Sequence, residues 1–444
     1  MSAVAKRAPK RGRKRLSADA LHDLLRCRFE RLPDRRRPGS QITMADAAMS
    51  AFAMFSLKDP SLLAFDGRRQ DENMKQLFCI DRVPSDSQMR EILDDTEPFE
   101  LRPAFRDVFR ELQRGKVLER FRFLGRHHLL LMDGTGYFSS EKIHCSSCLK
   151  KVHKDGRITY SHQMLAAAIA HPDHREVIPL APEPIGNHDG DTKNDCERNA
   201  AVRLLRQIRA EHPHLDLIVV EDGLASNAPH IRELKSLRMH FLLGAKPGDH
   251  VFLYEQLLEE YERDRVTTIT WKEGEITCEI RYVNNLRLNA ANPDLLVNFL
   301  GYAEFDSDGN VIKQFSWVTD LKITRRNARE VVRAGRARWK IENETFNTLK
   351  NQGYHFEHNF GHGERNLAVV FAMLMMLAFL INQVEQHCCP LFRAVWTKLG
   401  TKRMVWDHVR SHFRHFRCDS MQRIYEAILY DLTKKLPLPC VDSS

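Results

Sequence analysis

The sequence predicts an α/β protein with a mixed sheet flanked by helices, a β-rich insertion, and helical regions toward both ends. Three observations carry this reading. Short apolar runs alternate with amphipathic stretches over residues 121–248. Residues 249–324 break that alternation with Thr-, Val- and aromatic-rich runs. Residues 17–120 and 366–444 carry mostly helical spacing.

Taken in order, residues 1–16 hold seven Lys or Arg and no acid, out of a net charge of +9 for the 444-residue chain. Such a basic tail is expected to be disordered and suits an arm laid on nucleic-acid phosphate; a solvated terminus is the plain alternative. Residues 17–120 form a helical region, expected to contact DNA or dimerise. Within it "ITMADAAMSAFAMFSL" is apolar at helical spacing, and "PSDSQMREILDD" starts a helix with Ser85 or Ser87 as N-cap. In 121–248, "RHHLLLMDG", "SHQMLAAAIAHP" and "VIPLAPEPIG" read as strands. "LDLIVVEDG" and "HFLLGAKPG" are further strands, with helices over 191–213 and "ASNAPHIRELKSLR" between them. Residues 249–324 form the β-rich insertion, with "DSDGN" as a turn between strands. Residues 325–365 contain a long helix over 327–353 that completes the core, and 366–444 form a helical C-terminal region.

Composition describes a soluble globular protein, 43% hydrophobic and 29% charged. The N-terminus lacks the apolar stretch and cleavage site of a secretory signal. The longest apolar run, residues 367–381, is short for a membrane span and reads as a buried helix. Ten scattered cysteines then suggest reduced thiols and a cytoplasmic setting rather than a disulfide framework.

Two apolar runs stop at the same dipeptide: "LLLMDG" delivers Asp133 and "LIVVEDG" delivers Asp222. Asp-Gly is ordinary turn chemistry, but ligands gather at strand ends in α/β sheets, and two such ends in one sheet suggest a site. Hard divalent cations take carboxylates, and a pair of them about 3.5–4 Å apart can serve phosphoryl transfer. The long helix offers a third acid. At about 100° per residue, Glu342 shares a face with Arg338, while Glu344 lies opposite and would pair with Lys340. Arg338, Lys350 and Lys340 are the candidate DNA contacts on this helix.

"MDGTGYFSS", "VVEDGLASN" and "RARWKIENETFNTLKNQ" together resemble the three acidic motifs of insertion-sequence transposases of the DDE type. "PSDSQMREILD" is similar to a segment that these transposases carry upstream of the core. The resemblance implies an RNase H-like core, with Asp133, Asp222 and Glu342 as catalytic residues and metal ligands. It further implies Mg²⁺ (Mn²⁺ substituting), transposon terminal inverted repeats and target DNA as partners, and a homodimer on DNA. The implied activity is cleavage of transposon ends followed by strand transfer. A transposase-derived DNA-binding protein without catalysis and a metal-dependent nuclease without strand transfer are the alternatives. Two positions depart from the pattern: Gly335 stands where relatives have tyrosine, and Leu349 where they have lysine, with Lys350 one residue on.

Other candidates are weaker. "HCSSC" places Cys145 and Cys148 in a C-x₂-C, with His153 and His162 nearby and His153 as a third zinc donor; lacking a second C-x₂-C, the expectation is two reduced thiols and no zinc. Asp191 is expected to cap the helix that follows it, leaving Asp195 and Glu197 as outside candidates for the site. Glu221 should face away from Asp222 by strand alternation. "YHFEHNFGHG" could stack bases or pack under the last helix.

Overall fold

The computed structural model describes residues 14–37, 39–189 and 193–431. Most of the basic tail and the proposed Asp191 cap lie outside the described residues. In chain order the first helices are α1 (Ala18–Phe29), α2 (Met44–Ser56), α3 (Leu62–Asp66), α4 (Glu72–Leu77), α5 (Asp86–Asp94) and α6 (Pro98–Arg114). Then come β1 (His128–Ser140), β2 (Leu149–Val152), β3 (Ile158–Ala170), β4 (Ile178–Pro179) and β5 (Glu183–Ile185). The alternating stretch holds α7 (Lys193–Glu211), β6 (Leu217–Glu221), α8 (Ala228–Ser236), β7 (His240–Gly244) and α9 (Val251–Glu262). It is followed by β8 (Thr267–Glu273), β9 (Ile276–Arg287), β10 (Leu296–Phe305), β11 (Val311–Thr319) and α10 (Ala328–Arg336). The last helices are α11 (Asn347–Asn351), α12 (Leu367–Cys388), α13 (Pro390–Leu399), α14 (Lys402–His415) and α15 (Met421–Tyr430). The architecture is mixed α/β, as the sequence predicts, with eleven strands in one mixed sheet among the described residues.

The chain divides into two compact units, each assembled from separate segments. The helical unit takes the described residues within 1–117, 137–161 and 347–444. Its centre is α2, whose thirteen residues are all buried because Ala, Ser, Met and Phe give it no polar stripe beyond Asp46. Against α2 lies α12, where Phe371 meets Phe55 edge-to-face at 5.8 Å. In α12 the most apolar window is 94% buried, which makes it the core helix expected of residues 367–381. Ser85 supplies the N-cap of α5, closing a capping box with Gln88. The far end of α5 caps another helix: the Asp94 carboxylate accepts the backbone N–H groups of Glu364, Arg365, Asn366 and Leu367, at the start of α12. This unit also holds the hairpin of β2 with the first residues of β3.

The sheet unit takes residues 118–136 and 162–346. Its strands run in the order β3-β1-β6-β7-β11-β10-β9-β8, with β1, β6 and β7 parallel and the pairs from β7–β11 onward antiparallel. The predicted insertion therefore extends the main sheet through the β7–β11 pairing. One correction applies there: residues 251–262 fold as helix α9, because "VFLYEQLLEEYE" has leucines at helical spacing and good helix formers between them.

Candidate active site

Parallel pairing between β1 and β6 sets His128 to Leu131 opposite Leu217 to Val220. Two residues beyond the last of these pairs stand Asp133 on β1 and Asp222 after β6. Adjacent strands run about 4.8 Å apart, so the shared register brings the two aspartates side by side. They reach this place differently. β6 ends at Glu221, and Asp222 caps a short 3₁₀ turn by accepting the Leu224 N–H at 3.0 Å. Asp133 does not end its strand, contrary to the sequence expectation. β1 continues to Ser140, and alternation persists through buried Thr135 and Tyr137. The apolar run stops at Asp133 because its neighbour β6 stops there, which opens the sheet edge to polar groups.

Glu342 comes from a segment that is not the uniform α-helix expected over 327–353. Helix α10 ends at Arg336, and residues Ile341–Phe346 form a π-helix before α11. The wider π turn shifts every side chain off the 100° wheel, and such turns recur at functional sites. Arg338 and Glu342 nevertheless meet, Nη2 to Oε1 at 2.8 Å. The same guanidinium donates from Nη1 to Asp133 Oδ2 at 3.1 Å, so one arginine bridges two of the acids. Burial pushes the Asp133 carboxyl up to about 6; Arg338 works against this, while the nearby Glu342 and Asp222 carboxylates add to it. The exposed indole of Trp339 lies 5.2 Å from the Arg338 guanidinium, a neighbour that sequence reasoning did not single out.

The remaining candidates are placed as follows. Glu344 pairs with Arg175 at 3.1 Å and not with Lys340, because the π turn points it toward the loop after β3. Lys340 instead donates to the His174 carbonyl at 2.6 Å, and half-burial lowers its pKa. Lys350 belongs to the helical unit, where it pairs with Glu357 at 2.7 Å. Gly335 has a physical reason: a Cβ there would overlap the Trp317 indole, leaving no room for the tyrosine of related sequences.

Two further groups enter the cleft beside Asp133 and Asp222. A Cβ on Gly134 would lie 2.7 Å from Glu197 Oε1, so this glycine makes room for the first turns of α7 to bring a fourth carboxylate up to the site. Glu221 is buried and accepts a 2.7 Å hydrogen bond from His230 Nε2. Burial alone would lower the His230 pKa, but the Glu221 charge outweighs it and raises the value. The sequence carried a signal for Glu197, its spacing into a helix start, but none for His230, which depends on how α8 packs.

Three strand- and helix-borne carboxylates, one bridging arginine and a fourth acid at the rim make a hard-oxygen donor set suited to divalent cations. No curated protein matches the chain. The family model described as the transposase DDE domain matches residues 150–382, just over half of the chain; Asp222 and Glu342 fall inside the match and Asp133 precedes it. The chain belongs to the transposase DDE domain family.

Proposed function

We propose that this transposase-family protein cleaves the ends of a DNA transposon and joins them to target DNA, with Asp133, Asp222 and Glu342 as its catalytic carboxylates. The observation that carries the reading is the Arg338 bridge: one guanidinium spans Asp133 and Glu342, and Asp222 is registered beside Asp133. One positive charge against three carboxylates leaves a surplus of negative charge; the Asp133 carboxyl is raised chiefly by its burial, with Glu342 and Asp222 adding to it. That surplus and the all-oxygen donor set fit two divalent cations, Mg²⁺ first and Mn²⁺ in substitution. When bound, such ions would polarise the attacking oxygen and stabilise the leaving one.

The chain's own residues supply position. Parallel β1 and β6 hold Asp133 and Asp222 rigidly, and the π turn presents Glu342 with Arg338 on one side. Arg338, a planar fork of donors, suits a bidentate grip on the scissile phosphate once other cations balance the acids. Trp339 beside it offers a face on which a base could stack. Among the basic candidates Arg338 carries the proposal, since Lys340 and Lys350 already hold His174 and Glu357. In the first reaction, water attacks the phosphorus at the transposon end and the 3′-oxygen leaves as a hydroxyl. In the second, that hydroxyl attacks a target phosphodiester in line, so one phosphodiester forms as another breaks. Two ends must be joined, which makes a homodimer on DNA the expected working form, acting in the cytoplasm on chromosomal DNA.

Labelled terminal repeats taken from the DNA that flanks the gene, incubated with the protein and Mg²⁺, test this. Cut ends together with joined products support the proposal. Cutting without joining would make the protein a nuclease, and binding without cutting a DNA-binding derivative.

A further inference from the structure

Cys145 and Cys148 lie in the loop between β1 and β2, within the helical unit. His362, 214 residues beyond Cys148 and also in that unit, brings its Nε2 to 3.5 Å from Cys148 Sγ. The two sulfurs are 3.8 Å apart, far outside the roughly 2.05 Å of a disulfide. Tetrahedral zinc holds sulfur at about 2.3 Å and imidazole nitrogen at about 2.0–2.1 Å; this spaces two sulfurs by about 3.8 Å and sulfur from nitrogen by about 3.5 Å. Both separations match. The donor atoms of all three residues lie within 4.8 Å of one another.

We infer that Cys145, Cys148 and His362 supply three of the four ligands of a structural Zn²⁺ within the helical unit. Cys148 and His362 are 4% and 7% exposed and Cys145 is half-buried, so the site is largely closed, as structural zinc sites are. Its donors are pre-positioned. The Cys145 N–H reaches Cys148 Sγ at 3.4 Å, and Phe138 packs 4.5 Å from the His362 ring. Gly363 follows His362 with φ +70°, and the next four backbone N–H groups end on Asp94, which pins the approach of the histidine. His153 is not a donor: its Nε2 is engaged by Thr159 Oγ1 at 2.8 Å. Thiolate and imidazole are soft enough to select zinc over the Mg²⁺ that carboxylates favour, so this site and the acidic one would not compete. The ion would tie the β1–β2 loop to the segment that leads into α12.

Elemental analysis of the full chain purified under reducing conditions should find one zinc per chain, and Asp133→Ala should keep it. Cobalt substituted into the unmutated protein should give thiolate charge-transfer bands and the visible bands of a tetrahedral ion. His362→Cys, which retains a ligand, should bind cobalt with a shifted, more thiolate-rich spectrum, while His153→Ala should leave content and spectrum unchanged. A zinc-free protein with both thiols reduced, a cobalt spectrum without thiolate bands, or full zinc content in a Cys145→Ser/Cys148→Ser double variant would overturn the assignment. These readouts need no DNA, so they stand or fall separately from the proposed transposition chemistry.

Discussion

Asp133, Asp222 and Glu342 in the sheet unit and Cys145, Cys148 and His362 in the helical unit are both sets of metal-capable donors, yet they are housed in opposite ways. The acids stay within reach of solvent, the Asp133 and Glu342 side chains being 26% and 35% exposed. They share one arginine and stand at a place where a strand runs out. Of the Cys and His donors, Cys148 and His362 are buried and Cys145 half-buried, and backbone hydrogen bonds pin them. The difference fits the two roles proposed for them. A site for chemistry on DNA needs access and unbalanced charge that substrate and cations complete, whereas a structural clasp needs closure and satisfied partners.

The comparison can be broken most severely at the acids. Asp133→Ala, Asp222→Ala and Glu342→Ala should each lower end cleavage by about 10³-fold while the circular dichroism spectrum stays that of the parent. Cleavage at the parental rate in any one of them would remove that residue from the mechanism. A sharper version pairs two neighbours on the π turn. Glu342→Gln should reduce cleavage by about 10²-fold, but Glu344→Gln, which only loosens a surface pair with Arg175, should change it by no more than about twofold. The reverse order would mean that the third ligand is misassigned.

Smaller effects probe packing and buried charge. Gly335→Ala forces a methyl into the Trp317 ring and should cost about 1–3 kcal/mol in urea unfolding. An unchanged midpoint would show that Trp317 can move aside, and with it the account of the missing tyrosine would fail.

In the helical unit Glu385 is buried, its pKa pushed up to about 7 mainly by burial, while the Tyr425 hydroxyl donates to it at 2.5 Å. The folded protein therefore holds a proton that the unfolded chain releases at the usual glutamate value. Stability contributed by this group is full below that value and is lost as pH rises toward about 7. Glu385→Gln should remove that slope and gain on the order of 1–3 kcal/mol relative to the parent between pH 5 and pH 8. Parallel stability-versus-pH curves for the two proteins would count against it.

Much of this was legible in the residues. Apolar runs ending in Asp-Gly, the R-W-K-I-E spacing and the buried 367–381 run are local patterns, and local patterns report strand, helix and burial directly. They sufficed for the α/β class and the family, and they singled out the three acids proposed as catalytic. Glu197 was visible only as a helix-start acid, and His230 not at all. The pairing of Glu344 was misread because an α-helical wheel was applied to a segment that folds as a π turn.

What the sequence by itself determined is the chemistry on offer: three carboxylates and an arginine in motifs, two thiols in a C-x₂-C, and where the chain must be buried. Only the tertiary structure decided the partners. Asp133 lies mid-strand because β1 runs on to Ser140, and it is open to the cleft because β6, nearly ninety positions later, stops beside it. Cys148 gained His362 from 214 residues away, where the sequence offered the nearby His153 and His162. The physical reason is the same in both cases. Periodicity and turn chemistry act over a few residues, but a ligand set is completed by packing, which brings together groups that no local spacing relates.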